Sequence, residues 1–306
     1  MSIQRLVSDI KRLKIQGAES IALESAKALK ELIKHSKAKT LPLFYSELLS
    51  ARKKILSARP TEPCLRNTLD FIFYNVLEDD FVELVKNFLE RIDSAIKHLE
   101  ESKEKIAGIV AKKIPNNSVV FTHCHSSTVV HALIHAKKQG KRFVVYNTET
   151  RPLFQGRITA KELSSAGIKV VHFVDSGARI ALKKADIMLI GCDAISAEGK
   201  VINKIGSEMF AEIAHNLDVP VYVCSDSWKL DAKSIFGYET VIEKRLESEV
   251  WKNHPKNVII NNLAFERVSP SLIAGIISEL GIYRPSVFVR EVKEIYPFMF
   301  KKAQNF

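Results

Sequence analysis

Residues 118–128 read Ser-Val-Val-Phe-Thr-His-Cys-His-Ser-Ser-Thr. The first four have the composition of a buried strand, and Ser126-Ser127-Thr128 are helix-start residues. A strand that passes into a helix through a few polar residues opens a strand–helix–strand unit, so further units are expected downstream. The runs RFVVYNT (142–148), KVVHFV (169–174), DIMLIG (186–191), PVYVCS (220–225) and NVIINN (257–262) supply them. Continuous apolar runs suit strands buried on both faces, and their alternation with helical stretches makes the sheet parallel. Residues 116–306 are therefore expected to form a Rossmann-like, parallel-sheet α/β domain.

Upstream the pattern is different. In residues 17–39, Ile21, Leu23, Ala26, Leu29, Leu32 and Ile33 fall near one stripe, and residues 79–114 form one long amphipathic pattern opened by Asp79-Asp80. Pro60 and Pro63 forbid a continuous helix through SARPTEPCLRN, residues 57–67. Residues 1–115 read as a helical domain that precedes the sheet.

The 306 residues are 46% hydrophobic and 26% charged, a globular composition with enough chain for two domains. No apolar run is long enough for a bilayer, and the amino terminus lacks the apolar core of a signal peptide, which predicts no membrane association and a cytoplasmic protein. Four cysteines without a CxxC pair predict reduced thiols. The net charge of +11 is spread over both halves in short runs without interleaved aromatics. That does not point to nucleic acid, but it does favour anionic small molecules.

Ligands of open parallel sheets bind at the carboxyl ends of the strands, and the polar clusters HCHSST, TETRPLFQGR, DSGAR, GCDAI and SDSWK each follow a predicted strand, with NKIGS just after GCDAI. Cys124 is either a packed core thiol or, before a helix start, a thiolate. His123 and His125 could bind zinc, but on a continuing strand they share one face and Cys124 the other, so no metal is expected. Asp193 is a turn residue or, if buried, a proton donor. Ser126, Ser127 and Thr128 cap a helix or cradle a phosphate. Arg151, Asn203, Lys204 and Lys229 at one sheet edge suit an anionic substrate. No dinucleotide or triphosphate loop is present.

THCHS, TETRPLFQGRITAKEL, VDSGAR, GCDAI and INKIG, in this order, resemble the superfamily that joins sugar-phosphate aldose-ketose isomerases to the alpha, beta and delta subunits of translation initiation factor 2B. Within it the motifs are most similar to the archaeal ribose-1,5-bisphosphate isomerases. The resemblance implies an isomerase of α-D-ribose 1,5-bisphosphate in nucleotide salvage, with Cys124 and Asp193 as its proton-transfer pair and no metal or organic cofactor. It implies a phosphorylated sugar held by Gln16-Gly17-Ala18, Arg59, Ser126, Ser127, Thr128, Arg151, Asn203, Lys204 and Lys229. A homo-oligomer, either a dimer or a ring of dimers, is also implied. Methylthioribose-1-phosphate isomerases share the Cys and Asp. The alternatives are a regulatory subunit that binds a nucleotide or sugar phosphate, with initiation factor 2 as partner, or an isomerase of another sugar 1-phosphate such as methylthioribose 1-phosphate. Gln16 stands where the family has Arg and Ser127 where the bisphosphate isomerases tend to have Lys, so two positive charges are missing.

Overall fold

The computed structural model describes residues 1–76, 78–240 and 242–300. Five helices come first: α1 (Ile3–Lys11), α2 (Ala18–Lys34), α3 (Leu41–Ala58), α4 (Pro63–Phe73) and α5 (Phe81–Lys113). Asp80 caps α5 by accepting from the Glu83 amide. The break between α3 and α4 falls at the prolines, and Pro63 occupies the first turn of α4, where its missing N–H costs nothing.

The main sheet contains β1 (Ser118–Thr122), β2 (Phe143–Thr148), β3 (Val170–Phe173) and β4 (Ile187–Ile190). Between these strands lie α6 (Ser127–Lys138), α7 (Gln155–Ser165) and α8 (Ala178–Leu182). Next in the chain come β5 (Ala194–Ser196), β6 (Val201–Lys204) and α9 (Ser207–His215), then β7 (Val221–Cys224), β8 (Leu230–Asp231) and β9 (Phe265–Val268). The remaining elements are β10 (Gly275–Ser278), β11 (Gly281–Tyr283) and α10 (Pro285–Ile295). The seven-stranded sheet runs β11-β10-β7-β4-β1-β2-β3 and is parallel except for β11. Phe121, Met188, Ile190, Val223 and Ile276 pack on one face with α8, α9 and α10, in a core that continues into the amino-terminal helices. Val120, Val145, Ile187, Leu189 and Ile277 pack on the other with α6 and the end of α5. Burial on both faces is why these strands carry no polar alternation.

Two expectations are corrected. NVIINN is irregular, with Ile259 91% exposed, and the strand that pairs with β7 is β10. An apolar run becomes a sheet strand only where a free strand edge is within reach, and there β10 holds that edge. A second sheet, β8-β5-β6-β9, was not expected at all. It takes up the end of GCDAI and the start of NKIGS, where short runs give no period to read.

Helix α5 ends just before residue 116 and packs in both cores. Leu84, Phe88, Ile92 and Leu99 pack with the other amino-terminal helices, whereas Ile106, Ala107, Val110 and Ala111 pack with α6 and β1. A rod of 33 residues spans about 50 Å, long enough to serve both cores.

Candidate active site

A cavity of about 360 Å³ opens where β1, β4 and β6 end beneath the amino terminus of α2. Gln16, Gly17, Ala18, Arg59, Cys124, Ser126, Ser127, Asp193, Asn203, Lys204 and Lys229 line it. A larger cavity, about 470 Å³ between α1, α2 and α3, contains none of the expected residues and no strand end.

Two expected residues lie elsewhere. The Thr128 hydroxyl turns to Glu19 on α2, 3.4 Å away, so it ties α6 to the helical region instead of facing the cavity. Arg151 is exposed; its guanidinium donates to the Val250 carbonyl at 3.1 Å and lies over the Phe154 ring. Sequence order brought it to the strand end, but the β2–α7 turn points it outward.

The turn after β1 also departs from expectation. The strand stops at Thr122, and Cys124 takes a left-handed conformation, φ 65°, which costs a non-glycine residue about 1–2 kcal/mol. Two threonines hold it there, and a third holds its neighbour. Thr150 Oγ accepts from the Cys124 amide at 3.0 Å, Thr159 donates to the Cys124 carbonyl at 2.8 Å, and Thr148 meets His123 Nδ1 at 2.6 Å. Strand alternation therefore does not apply, and Cys124 and His125 line the cavity together. His123 is buried with its Nε2 on the Ile205 carbonyl at 2.9 Å, so both of its nitrogens are engaged. Burial pulls it down to about 4, the state of a neutral packing residue.

The close approaches explain two glycines. A Cβ on Gly191 would lie 2.4 Å from Ser126 Oγ, so the turn after β4 meets the α6 cap only because that side chain is absent. Gly156 would clash with the Thr148 carbonyl at 1.7 Å.

Burial pushes the Cys124 thiol up to about 11, against the pull of Lys204. The helix start does not overcome that desolvation, which favours a thiol over the expected thiolate. Burial also raises Asp193, opposed by Lys229, Lys204, Arg59 and Arg245. Lys204 stands over the Phe265 ring at 4.7 Å, because β6 and β9 pair at these two residues. Lys229 donates to the Cys192 carbonyl at 2.9 Å. Asn203 donates to Ser207 at 2.9 Å. The Gln16 amide is turned onto the Leu13 carbonyl at 2.6 Å.

The cavity lining also includes His125, weighed above only as a zinc ligand, and Glu19, Gln155, Cys192, Arg245 and Phe265, which the sequence does not single out. Gln155 lies inside the quoted TETRPLFQGR string and was overlooked. Arg245 belongs to a segment with no period or motif.

A family profile described as the initiation factor 2 subunit family matches residues 14–285. The chain belongs to that family. Among its relatives, ribose 1,5-bisphosphate isomerase of Pyrococcus furiosus is 36% identical over 97% of this chain and 94% of its own length. The enzyme of the same name from Thermococcus kodakarensis is 34% identical over 99% and 97%. The crystal structure of Pyrococcus horikoshii translation initiation factor eIF-2B superposes with a TM-score of 0.79 at 27% identity, covering 94% of this chain and 98% of that one. This member of the family is thus similar along nearly its whole length both to isomerases and to an initiation factor. Among its described residues, no helix is long and apolar enough to cross a membrane.

Proposed function

We propose that the chain is an aldose-ketose isomerase that converts α-D-ribose 1,5-bisphosphate to D-ribulose 1,5-bisphosphate, using side-chain acid and base groups alone. The observation that carries this reading is that Cys124 and Asp193 face one cavity together with Arg59, Lys204, Lys229 and Arg245. Four cations suit a substrate with two phosphates, and a carboxyl whose proton affinity burial raises suits proton donation.

Asp193 gives its proton to the ring oxygen, and the bond from that oxygen to carbon 1 breaks. Cys124 first gives its thiol proton to water, a cost that Lys204 offsets; the thiolate then takes the proton from carbon 2, and the electron pair forms the carbon 1–carbon 2 double bond of an enol. Cys124 returns a proton to carbon 1 while the carbon 2 hydroxyl gives up its own, restoring Asp193 and leaving the ketose. Asn203 and Lys204 orient the hydroxyls and offset the charge developing on the enol oxygen. Ser126 and Ser127 at the start of α6 hold one phosphate with hydroxyls and amides. The helical region covers the cavity and limits water at the enol.

The test is a panel of ribose 1,5-bisphosphate, methylthioribose 1-phosphate, deoxyribose 1-phosphate and ribose 1-phosphate, each followed for ketose. Turnover of the bisphosphate well above the others is expected. Binding without ketose on the whole panel would favour a second reading, a sugar-phosphate or nucleotide sensor acting with initiation factor 2. The similarity to the Pyrococcus horikoshii factor and the neutral Gln16 support that alternative.

A cytoplasmic homo-oligomer belongs to the same proposal. Four buried free cysteines support a reducing compartment, and the exposed Phe236, Tyr238, Leu246, Trp251 and Ile259 support self-association. Sedimentation of the purified chain decides between monomer, dimer and ring.

A further inference from the structure

The cavity wall formed by residues 16–18 and the start of α6 offers hydroxyls and amides but no formal charge, because Gln16 and Ser127 are neutral and Arg151 faces away. One cation beyond the expected set stands on another wall. The Arg245 side chain is 11% exposed, and its Nε is buried without a hydrogen-bond partner. The nearest carboxylate oxygen, on Glu243, is 3.5 Å away.

Arg59, 15% exposed, donates to Glu62 at 2.9 Å, and its fork reaches the second Glu243 oxygen only at 3.6 Å. That oxygen and Arg59 Nε are likewise buried without hydrogen-bond partners. Two guanidiniums therefore flank a single carboxylate that neither grips closely. Burying donors and an acceptor at this spacing is costly unless an anion completes the set. Guanidinium forks match phosphate oxygens better than a lone ammonium does. The other cation near the mouth, Lys14, is 65% exposed and lies against Asp9, so it does not fill this place.

We propose that Arg245 is a substrate-binding residue which, with Arg59, receives one of the two phosphates, and that this phosphate takes the place of Glu243 between the two guanidiniums. The inference rests on the bisphosphate reading given above. Phosphate entry displaces Glu243 from between the two forks, and the α6 hydroxyls and amides keep the other phosphate.

The experiment is calorimetric binding of ribose 1,5-bisphosphate, ribose 1-phosphate and ribose 5-phosphate to the Asp193→Asn protein, which blocks turnover, and to the same protein carrying Arg245→Gln, Arg245→Lys or Glu243→Gln, with melting temperatures alongside and ketose formation followed in the otherwise wild-type chain. Arg245→Gln should weaken the bisphosphate and one of the two monophosphates by about 10–100-fold, while the other changes by less than about threefold. Arg245→Lys should fall between, since it keeps the charge and loses the fork. Glu243→Gln should tighten the same two ligands. Equal weakening of all three, or no weakening, overturns the assignment, as does weaker binding in Glu243→Gln. If Arg245→Gln does not fold, the Lys and Glu243 variants carry the same decision. Because binding is read without turnover, discrimination between phosphates with no ketose would remove the isomerase reading and leave Arg245 in place. Ketose formation with unchanged affinity in Arg245→Gln would do the reverse.

Discussion

Two aspartates stand at the ends of neighbouring parallel strands and are shifted in opposite directions. Asp193 follows β4 and is raised; Asp226 follows β7 and is lowered. Burial pushes both carboxyls up. Around Asp226 the opposing groups are in contact: His98 Nε2 at 3.2 Å, the Trp228 amide at 2.8 Å and the Ser102 hydroxyl. Around Asp193 they are cations ranged about the cavity. Contacts made directly to a carboxylate outweigh desolvation, whereas charges across a cavity do not, so one residue is a fixed anchor and the other holds a proton more readily than an ordinary carboxylate.

The anchor serves the site indirectly. Asp226 begins the turn that carries Lys229, and the Trp228 ring stacks on His98 with centroids 4.0 Å apart. Asn67 of α4 donates to the Trp228 and Leu230 carbonyls at 2.7 and 2.8 Å, and Glu279 accepts from the Ser227 amide at 3.1 Å. His98, Asp226 and Glu279 are close enough together to hold a cation, but these contacts already occupy them in fastening the turn.

The sharpest way to break the contrast is to remove each carboxylate. Asp193→Asn should lower ketose formation by about a thousandfold while ligand binding and melting temperature are kept, because the amide cannot deliver a proton. Cys124→Ser should match it and stop proton exchange at carbon 2. An Asp193→Asn protein that turns over normally sinks the proton-donor role.

Asp226→Asn should act on stability instead, costing about 3 kcal/mol at neutral pH by leaving His98 without its partner. The native value of Asp226 is depressed, so its contribution is present above the ordinary carboxylate range and is lost as pH falls through the native value. Denaturant curves of wild type and variant should therefore converge on acidification. Full stability combined with lost catalysis in Asp226→Asn would show that the two aspartates do not differ as described.

The smallest expected effect concerns Glu62, which burial, with Asp193 adding to it, pushes up to about 7. A raised folded value means stability that is complete below the unfolded value near 4.5 and is lost as pH rises through about 7. Glu62→Gln should flatten the fall in melting temperature between pH 5 and 8 by a few degrees. An unchanged slope would place the titration elsewhere, with Glu279, also pushed up to about 7, the first alternative.

Much of the fold and part of the site could be read from the residues. Strands at 118–122, 143–148, 170–173, 187–190 and 221–224 announced themselves because burial on both faces requires unbroken apolar runs. The grouping of Cys124, Ser126, Ser127, Asp193, Asn203, Lys204 and Lys229 followed from the rule that strand ends converge. NVIINN misled because an apolar run resembles a strand whether or not a sheet edge is available to it. The Cys124 thiolate misled because a helix start is local and visible in sequence, while the desolvation that outweighs it comes from packing.

The amino-acid sequence by itself determined the leading helices, five of the parallel strands and the family, and it nominated Cys124 and Asp193, since these depend on periodicity and on residue types at short spacing. Only the tertiary structure decided that Arg151 faces away and Arg245 lines the cavity, and that Cys124 is held left-handed by Thr150 and Thr159. It alone decided that Asp193 and Asp226 differ in proton affinity. Those outcomes depend on which groups meet across long stretches of chain and on how much water is left between them, and neither quantity is written in local sequence.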